Sequence, residues 1–127
     1  MDENEIGTAI VEAAIKVHRV LGPGLLETVY ESVLAHELLL RNFQVERQSA
    51  IPFAYEGLRF DEGYRADLIV NKKVIVEVKS VEHRLPVHKK QLLTYLKLSG
   101  LRLGYLINFN ESLVKDGIER LANGMPE

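Results

Sequence analysis

Asp67 lies near the start of one apolar run, and Glu77-Val78-Lys79 closes the next, Val74-Ile75-Val76-Glu77-Val78-Lys79. Side chains alternate across a strand, so Ile75, Glu77 and Lys79 share one face of it. Burying a carboxylate or an ammonium without a partner is expensive. Two acids and a lysine set into otherwise apolar strands therefore need a reason. A divalent cation held by Asp67 and Glu77 is one. Hard cations are bound by such carboxylates together with a backbone carbonyl and waters. Lys79, two positions on, would orient a water and stabilise negative charge developing on a phosphate. Taken alone, an E-x-K is usually a solvated ion pair. The apolar surroundings and the preceding aspartate weigh against that here.

Other side chains stand in reach of the same chemistry. Gln91 and Tyr95 are four apart on a helical stretch and project from one face. An amide and a phenol so aligned hydrogen-bond a nucleotide or steady metal ligands, or are simply the polar flank of a core stripe. Glu27 falls in the first turn of a helix, where the dipole already favours an acid, and it is also placed to reach in as a further ligand. His88 reads as a satisfied or phosphate-contacting side chain. His18, His36 and His83 show no metal-ligand spacing. Lys72, Lys73, Arg84, Lys89, Lys90, Lys97 and Arg102 cluster around the acids in sequence and are candidates for phosphate contact. No Gly-rich phosphate loop, Gly-x-Ser-x-Gly elbow or His-Glu-x-x-His helix is present.

The elements that must position these residues follow from periodicity and punctuation. Ile6, Ala9, Ile10, Ala13, Ala14, Val17 and Leu21 recur at helical spacing, and Gly22-Pro23-Gly24 breaks the chain. A second helix is predicted from Leu25 to Arg41, stopped by Asn42. Val45 to Tyr55 reads as a strand, interrupted or edged at Pro52. Glu56-Gly57 turns into Leu58 to Asp61, and Gly63 marks a bulge before Tyr64 to Val70. If Asn71-Lys72-Lys73 forms a hairpin turn into the strand Val74 to Val81, Asp67 and Glu77 lie on adjacent strands. Pro86 opens a third helix that Gly100 closes after Ser99. Leu103 to Phe109 is a buried strand reached by a helical crossover and so parallel to its neighbour. Asn110 to Leu121 is a final helix or edge strand, and Asn123 to Glu127 a frayed tail. The result is a mixed sheet with helices packed on it, in one domain over residues 1–127.

Composition sets the bounds. A chain of 127 residues with 46% hydrophobic and 27% charged residues has the make-up of a globular domain with a real core. It has no cysteine, which excludes disulfides and thiolate metal sites and makes a cytoplasmic setting the default expectation. No apolar stretch approaches the ~20 residues needed to cross a bilayer, so no membrane partner is expected. The start, Met1-Asp2-Glu3-Asn4-Glu5, is acidic, unlike that of a signal peptide. A net charge of −2 argues against indiscriminate polyanion binding, though not against a local basic groove beside an acidic site.

In this order the motifs are familiar. Asp67…Glu77-Val78-Lys79 resembles the core of the PD-(D/E)XK nuclease superfamily, with Ala66 standing where the motif's name has proline. Gln91-Leu92-Leu93-Thr94-Tyr95 is similar to the QxxxY motif of its RecB-like and lambda-exonuclease-like branches. Gly24-Leu25-Leu26-Glu27-Thr28-Val29-Tyr30 resembles the motif naming the small bacterial and archaeal GxxExxY proteins. The resemblance spans about Ile6 to Gly117. It implies a restriction-endonuclease-like α/β/α core with a central mixed sheet. It also implies phosphodiester hydrolysis in nucleic acid, with DNA the expected substrate, by an activated water and with Mg2+ or Mn2+. Glu27 would be the helix-borne acid. Asp67, Glu77 and the Val78 carbonyl would be ligands, Lys79 the catalytic lysine, and Gln91 with Tyr95 the auxiliary pair. Lys72, Lys73, His88, Lys89 and Lys90 are the expected nucleic-acid contacts. The alternative is a non-catalytic domain of the same fold that binds nucleic acid or a partner protein, or pairs with a second copy of itself.

Overall fold

The computed structural model describes residues 1–126. Two helices come first, α1 (Glu3–Leu21) and α2 (Glu27–Leu40), followed by strands β1 (Val45–Tyr55), β2 (Leu58–Val70) and β3 (Val74–Lys79). Helix α3 (Pro86–Ser99), strand β4 (Leu103–Asn108), a 3-10 turn (Val114–Gly117) and strand β5 (Ile118–Ala122) complete the chain. The strands form one five-stranded sheet in the order β1-β2-β3-β4-β5. Neighbours are antiparallel except β3 and β4. That pair is parallel because the chain crosses over through α3, as the sequence predicts.

Alternation along β3 divides the core in two. Val74, Val76 and Val78 face α1 and α2, packing with Ile6, Ile10, Leu34 and Leu38. Ile75 faces α3, packing with Leu92, Leu96 and Leu106. Helices thus cover both faces, the α/β/α arrangement that the resemblance implies. Among the described residues, no helix is long and apolar enough to cross a membrane.

Local chemistry explains the element ends. The acidic start is a capping box, since Asp2 accepts from the Glu5 N–H at 2.8 Å and Glu5 reaches back to the Asp2 N–H. Asn42, at φ +69°, follows α2. Gly100, at φ +74°, closes α3 in the left-handed conformation that lacks a penalty only for glycine.

Several boundaries differ from expectation. α2 begins at Glu27 rather than Leu25 and ends one residue before Arg41. β1 runs unbroken through Pro52, because it is an edge strand and the register shifts between Ile51 and Phe53. The expected strands Leu58–Asp61 and Tyr64–Val70 are one strand carrying that bulge. Gly63 sits in it, with the Phe53 ring occupying the space a Cβ would need. β3 stops at Lys79, two residues before Val81. Ser80 instead gives its N–H to Glu27 and its hydroxyl to the Leu25 carbonyl. Val81 is clamped at both backbone groups by the buried Asn108 side chain. Of the two forms expected for Asn110–Leu121, the structure shows the edge strand, β5, after one 3-10 turn. The tail is not frayed as far as Met125: Asn123 bonds the Arg102 and Leu101 carbonyls, and Met125 packs on the core. Glu127 lies outside the described residues.

Candidate active site

β2 and β3 pair at Val70–Val74, Ile69–Ile75 and Leu68–Val76, and there the ladder ends. One step further, a side chain takes over from the backbone. Asp67 Oδ2 accepts the Val78 N–H at 2.8 Å, and the Asp67 N–H points at Glu77 Oε1, 3.4 Å away. The N–H and C=O of a strand residue point to the same side, so the Val78 carbonyl also faces Asp67. Glu77 is buried. Its carboxyl is pushed up to about 9, first by burial and then by the negative charge of Asp67, with Lys79 pulling weakly the other way. Lys79 follows on the same face, half-buried at the strand's end.

Helix α3 forms one wall. The Tyr95 ring stacks on Tyr64 with centroids 3.9 Å apart and planes 8° from parallel. The Tyr64 hydroxyl donates to the Tyr95 carbonyl at 2.7 Å. Burial pushes Tyr64 up to about 12. Tyr95 is raised, first by burial and then by the negative charges of Glu77 and Asp67. Gln91, one turn earlier, is exposed and has no side-chain hydrogen bond among the described residues.

Helix α2 forms the opposite wall, and the Gly24…Tyr30 segment explains how. Gly22 and Gly24 take positive φ values of 70° and 98°. The Tyr30 ring stacks on Phe109 at 4.6 Å. Its hydroxyl donates to the Gly22 carbonyl and accepts the Leu25 N–H. The tyrosine thereby pins the loop that launches the helix, and Glu27 emerges at the end of β3, where Oε1 accepts the Ser80 N–H at 3.2 Å.

One turn on, the structure brings in an acid that sequence reading missed. Glu31 is 6% exposed. It accepts from Gln48 Nε2 at 2.7 Å and from Arg47 Nη2 at 2.9 Å. Gln48 Nε2 also reaches Asp67 Oδ1 at 3.2 Å. The i, i+4 spacing from Glu27 puts Glu31 on the same helix face, which is the one signal that was available. Gln48 and Tyr64 were also missed, and nothing in their local sequence marks them.

Asp67, Glu77, Val78, Lys79, Tyr95 and Glu27 thus surround one end of the β2–β3 hairpin. The other candidates sit apart. Lys72 and Lys73 are at the turn, roughly 15 Å along the strands, and Lys73 is bonded to the Met1 carbonyl. His88 Nδ1 accepts the Leu85 N–H and serves the start of α3. Lys89 lines a separate cleft with Glu82, His83 and Arg84. Lys90 is exposed.

Among the described residues no three His, Cys, Asp or Glu side chains form a metal cluster. The donors here are two carboxylates and a carbonyl. That set fits a hard cation of the Mg2+ type, which takes one or two carboxylates and keeps waters or phosphate oxygens. The crowding of Asp67 on a buried Glu77 points the same way, since a dication relieves what otherwise only a proton can.

A family model for the PD-(D/E)XK nuclease superfamily matches residues 4–121, from α1 to β5. No curated protein and no solved structure matches the chain. Nucleases of that superfamily generally use divalent metals and bind nucleic acid. The matched span holds the acid pair, its lysine and both helical walls, and the chain belongs to the PD-(D/E)XK nuclease superfamily.

Proposed function

We propose that this protein is a nuclease of the GxxExxY type, with the QxxxY motif in Gln91 and Tyr95, hydrolysing phosphodiester bonds in DNA with Mg2+ or Mn2+. The observation that carries the reading is the buried Glu77 carboxyl set beside Asp67, whose Oδ2 takes the Val78 N–H, with Lys79 two positions on along the same strand. A purely structural acid pair would be an expensive way to end a hairpin.

Asp67, Glu77 and the Val78 carbonyl would hold the cation, with Glu27 facing it from α2. When bound, it supplies Lewis-acid stabilisation of the phosphoryl oxygens. Lys79 holds the attacking water and offsets negative charge as it builds on the phosphate. Tyr95, fixed on Tyr64, closes the α3 side, and the exposed Gln91 donates to the substrate. Lys89 and Lys90, on the turn before Gln91, meet flanking phosphates. Lys72 and Lys73 would meet only a substrate that runs roughly 15 Å along the sheet.

The test is cleavage of single- and double-stranded, linear and circular DNA in Mg2+ or Mn2+, comparing wild type with Asp67→Ala and Lys79→Ala. Equal cleavage by all three assigns the activity to a contaminant and sinks the reading. The dispersed cations and the net charge of −2 favour one rival, a non-catalytic domain of the same fold binding nucleic acid or a protein. Mn2+ titration separates the two. A saturable site lost in Glu77→Ala supports the enzyme, and no binding supports the rival.

A further inference from the structure

Gln48 is the anomaly of the sheet. It has φ +49° in the middle of β1, a conformation that costs an ordinary residue and persists only where its surroundings hold it. No bulge causes it. The pairs Arg47–Leu68 and Ser49–Ala66 keep one register across Gln48, and the register shift lies further on, between Ile51 and Phe53. Gln48 is exposed and on an edge strand, so nothing in the core forces it either.

What holds it is a pair of acids. Its Nε2 donates to Glu31 Oε1 at 2.7 Å and to Asp67 Oδ1 at 3.2 Å, one N–H for each. Glu31 is itself immobilised, buried and paired with Arg47, which also donates to the Ser32 hydroxyl at 2.8 Å. At the other end, Asp67 Oδ2 is taken by the Val78 N–H. Both Asp67 oxygens are therefore fixed by neutral donors, and the plane of the carboxylate is set. Each oxygen keeps a second lone pair. A lysine or arginine at position 48 would compete with a cation for Asp67, and an acid would repel it. A neutral amide orients the carboxylate and leaves it free to ligate.

We infer that Gln48 is a positioning residue, holding the Asp67 carboxylate in its ligating orientation by bracing it against Glu31 of α2. This rests on the metal-dependent reading above. It goes beyond that reading in giving a task to Gln48 and Glu31.

The test uses the full chain with Mn2+ as probe, in wild type, Gln48→Gly and Gln48→Asn, following Mn2+ affinity, cleavage kinetics and thermal unfolding. Glycine adopts φ +49° without strain but carries no amide, and asparagine is too short to span both acids. Gln48→Gly is expected to melt no lower than wild type while binding Mn2+ about tenfold more weakly, within the range for groups that orient metal ligands. Its kcat should fall with KM unchanged, and Gln48→Asn should bind Mn2+ as weakly. Wild-type Mn2+ affinity in Gln48→Gly overturns the inference. So does a lower melting temperature with unchanged affinity, the mark of a mere tie between α2 and β1. If wild type itself binds no Mn2+, the nuclease reading fails, and the brace is read without metal. The side-chain amide proton signals of Gln48 should then shift on Asp67→Ala, and signals indifferent to that substitution overturn the brace as well.

Discussion

The β2–β3 hairpin has two ends built from the same two strands on opposite principles. At the turn, Val70 and Val74 are buried and paired backbone to backbone. The Lys73 N–H closes on the Val70 carbonyl at 3.0 Å. Asn71 and Lys72 have the positive φ values, 52° and 56°, of a type I′ turn, whose twist suits a hairpin. At the open end the ladder stops, and Asp67 takes the Val78 N–H with its side chain. That substitution leaves the strand ends apart with two acids between them, backed by Tyr95 on one side and α2 on the other. One end holds the molecule together, and the other is held together by it. On the proposed reading, stability and chemistry are thus separated over a few residues of strand.

The sharpest way to break this division is Glu77→Gln. At the open end a permanently neutral side chain should remove Mn2+ binding and lower cleavage by on the order of 1000-fold, yet raise the stability of the metal-free protein. The sign follows from proton linkage. The folded carboxyl, at about 9, lies above its ordinary 4.5, so the folded state holds a proton that the unfolded chain has already released. Wild type therefore loses stability as pH rises from about 4.5 to about 9, by on the order of 1 kcal/mol per pH unit. Urea melts across that range should show the slope in wild type, a flatter one with added Mn2+, and its loss in Glu77→Gln. A slope identical in the variant would mean that Glu77 is not the strained acid.

Ile75→Ala addresses the other end. Ile75 is fully buried against Leu92 and Leu96, and its truncation should cost about 2–5 kcal/mol by denaturant melts. Cleavage per folded molecule should change little at a temperature where the variant stays folded. A loss of activity as large as that of Glu77→Gln would show that the two ends are mechanically one.

Tyr30→Phe probes the wall between them. It keeps the stack on Phe109 but deprives the Gly22 carbonyl and the Leu25 N–H of their shared partner. About 1 kcal/mol of stability should go, measured by thermal unfolding. A larger loss in cleavage than in stability would show that the seat of Glu27 depends on this hydroxyl.

The two ends were also unequally legible in the sequence. The turn, the hairpin it makes and the acid pair across it followed from Asn71-Lys72-Lys73 between two apolar runs, because charges in a buried strand stand out. The supporting groups did not stand out. Glu31 lies on a helix, where acids are normally solvated, and Gln48 gains its importance only from a left-handed backbone that no residue type there announces. Tyr64 reads as an ordinary strand aromatic until Tyr95 stacks on it. β3 ends early because of Ser80, Glu27 and Asn108, contacts spanning 53 and 27 residues of chain, which local pattern does not carry. Sequence proximity is also not spatial proximity here: Lys72 and Lys73 neighbour the acids along the chain but sit at the far end of the hairpin.

The smallest expected effect, and the cleanest check, lies at the turn itself. Lys72 sits at φ +56°, a conformation costing a residue with a Cβ about 1–2 kcal/mol. The greater freedom of glycine in the unfolded chain takes back about 0.5–1 kcal/mol of the relief. Lys72→Gly should thus gain up to about 1 kcal/mol while removing a cation. If the turn only builds the fold, the affinity for short DNA and its salt dependence should match wild type, whereas Lys89→Ala should reduce the salt slope by about 1. A Lys72→Gly protein that is more stable but binds short DNA more weakly would put substrate at the turn, and the division of the hairpin into a structural end and a chemical end would be wrong.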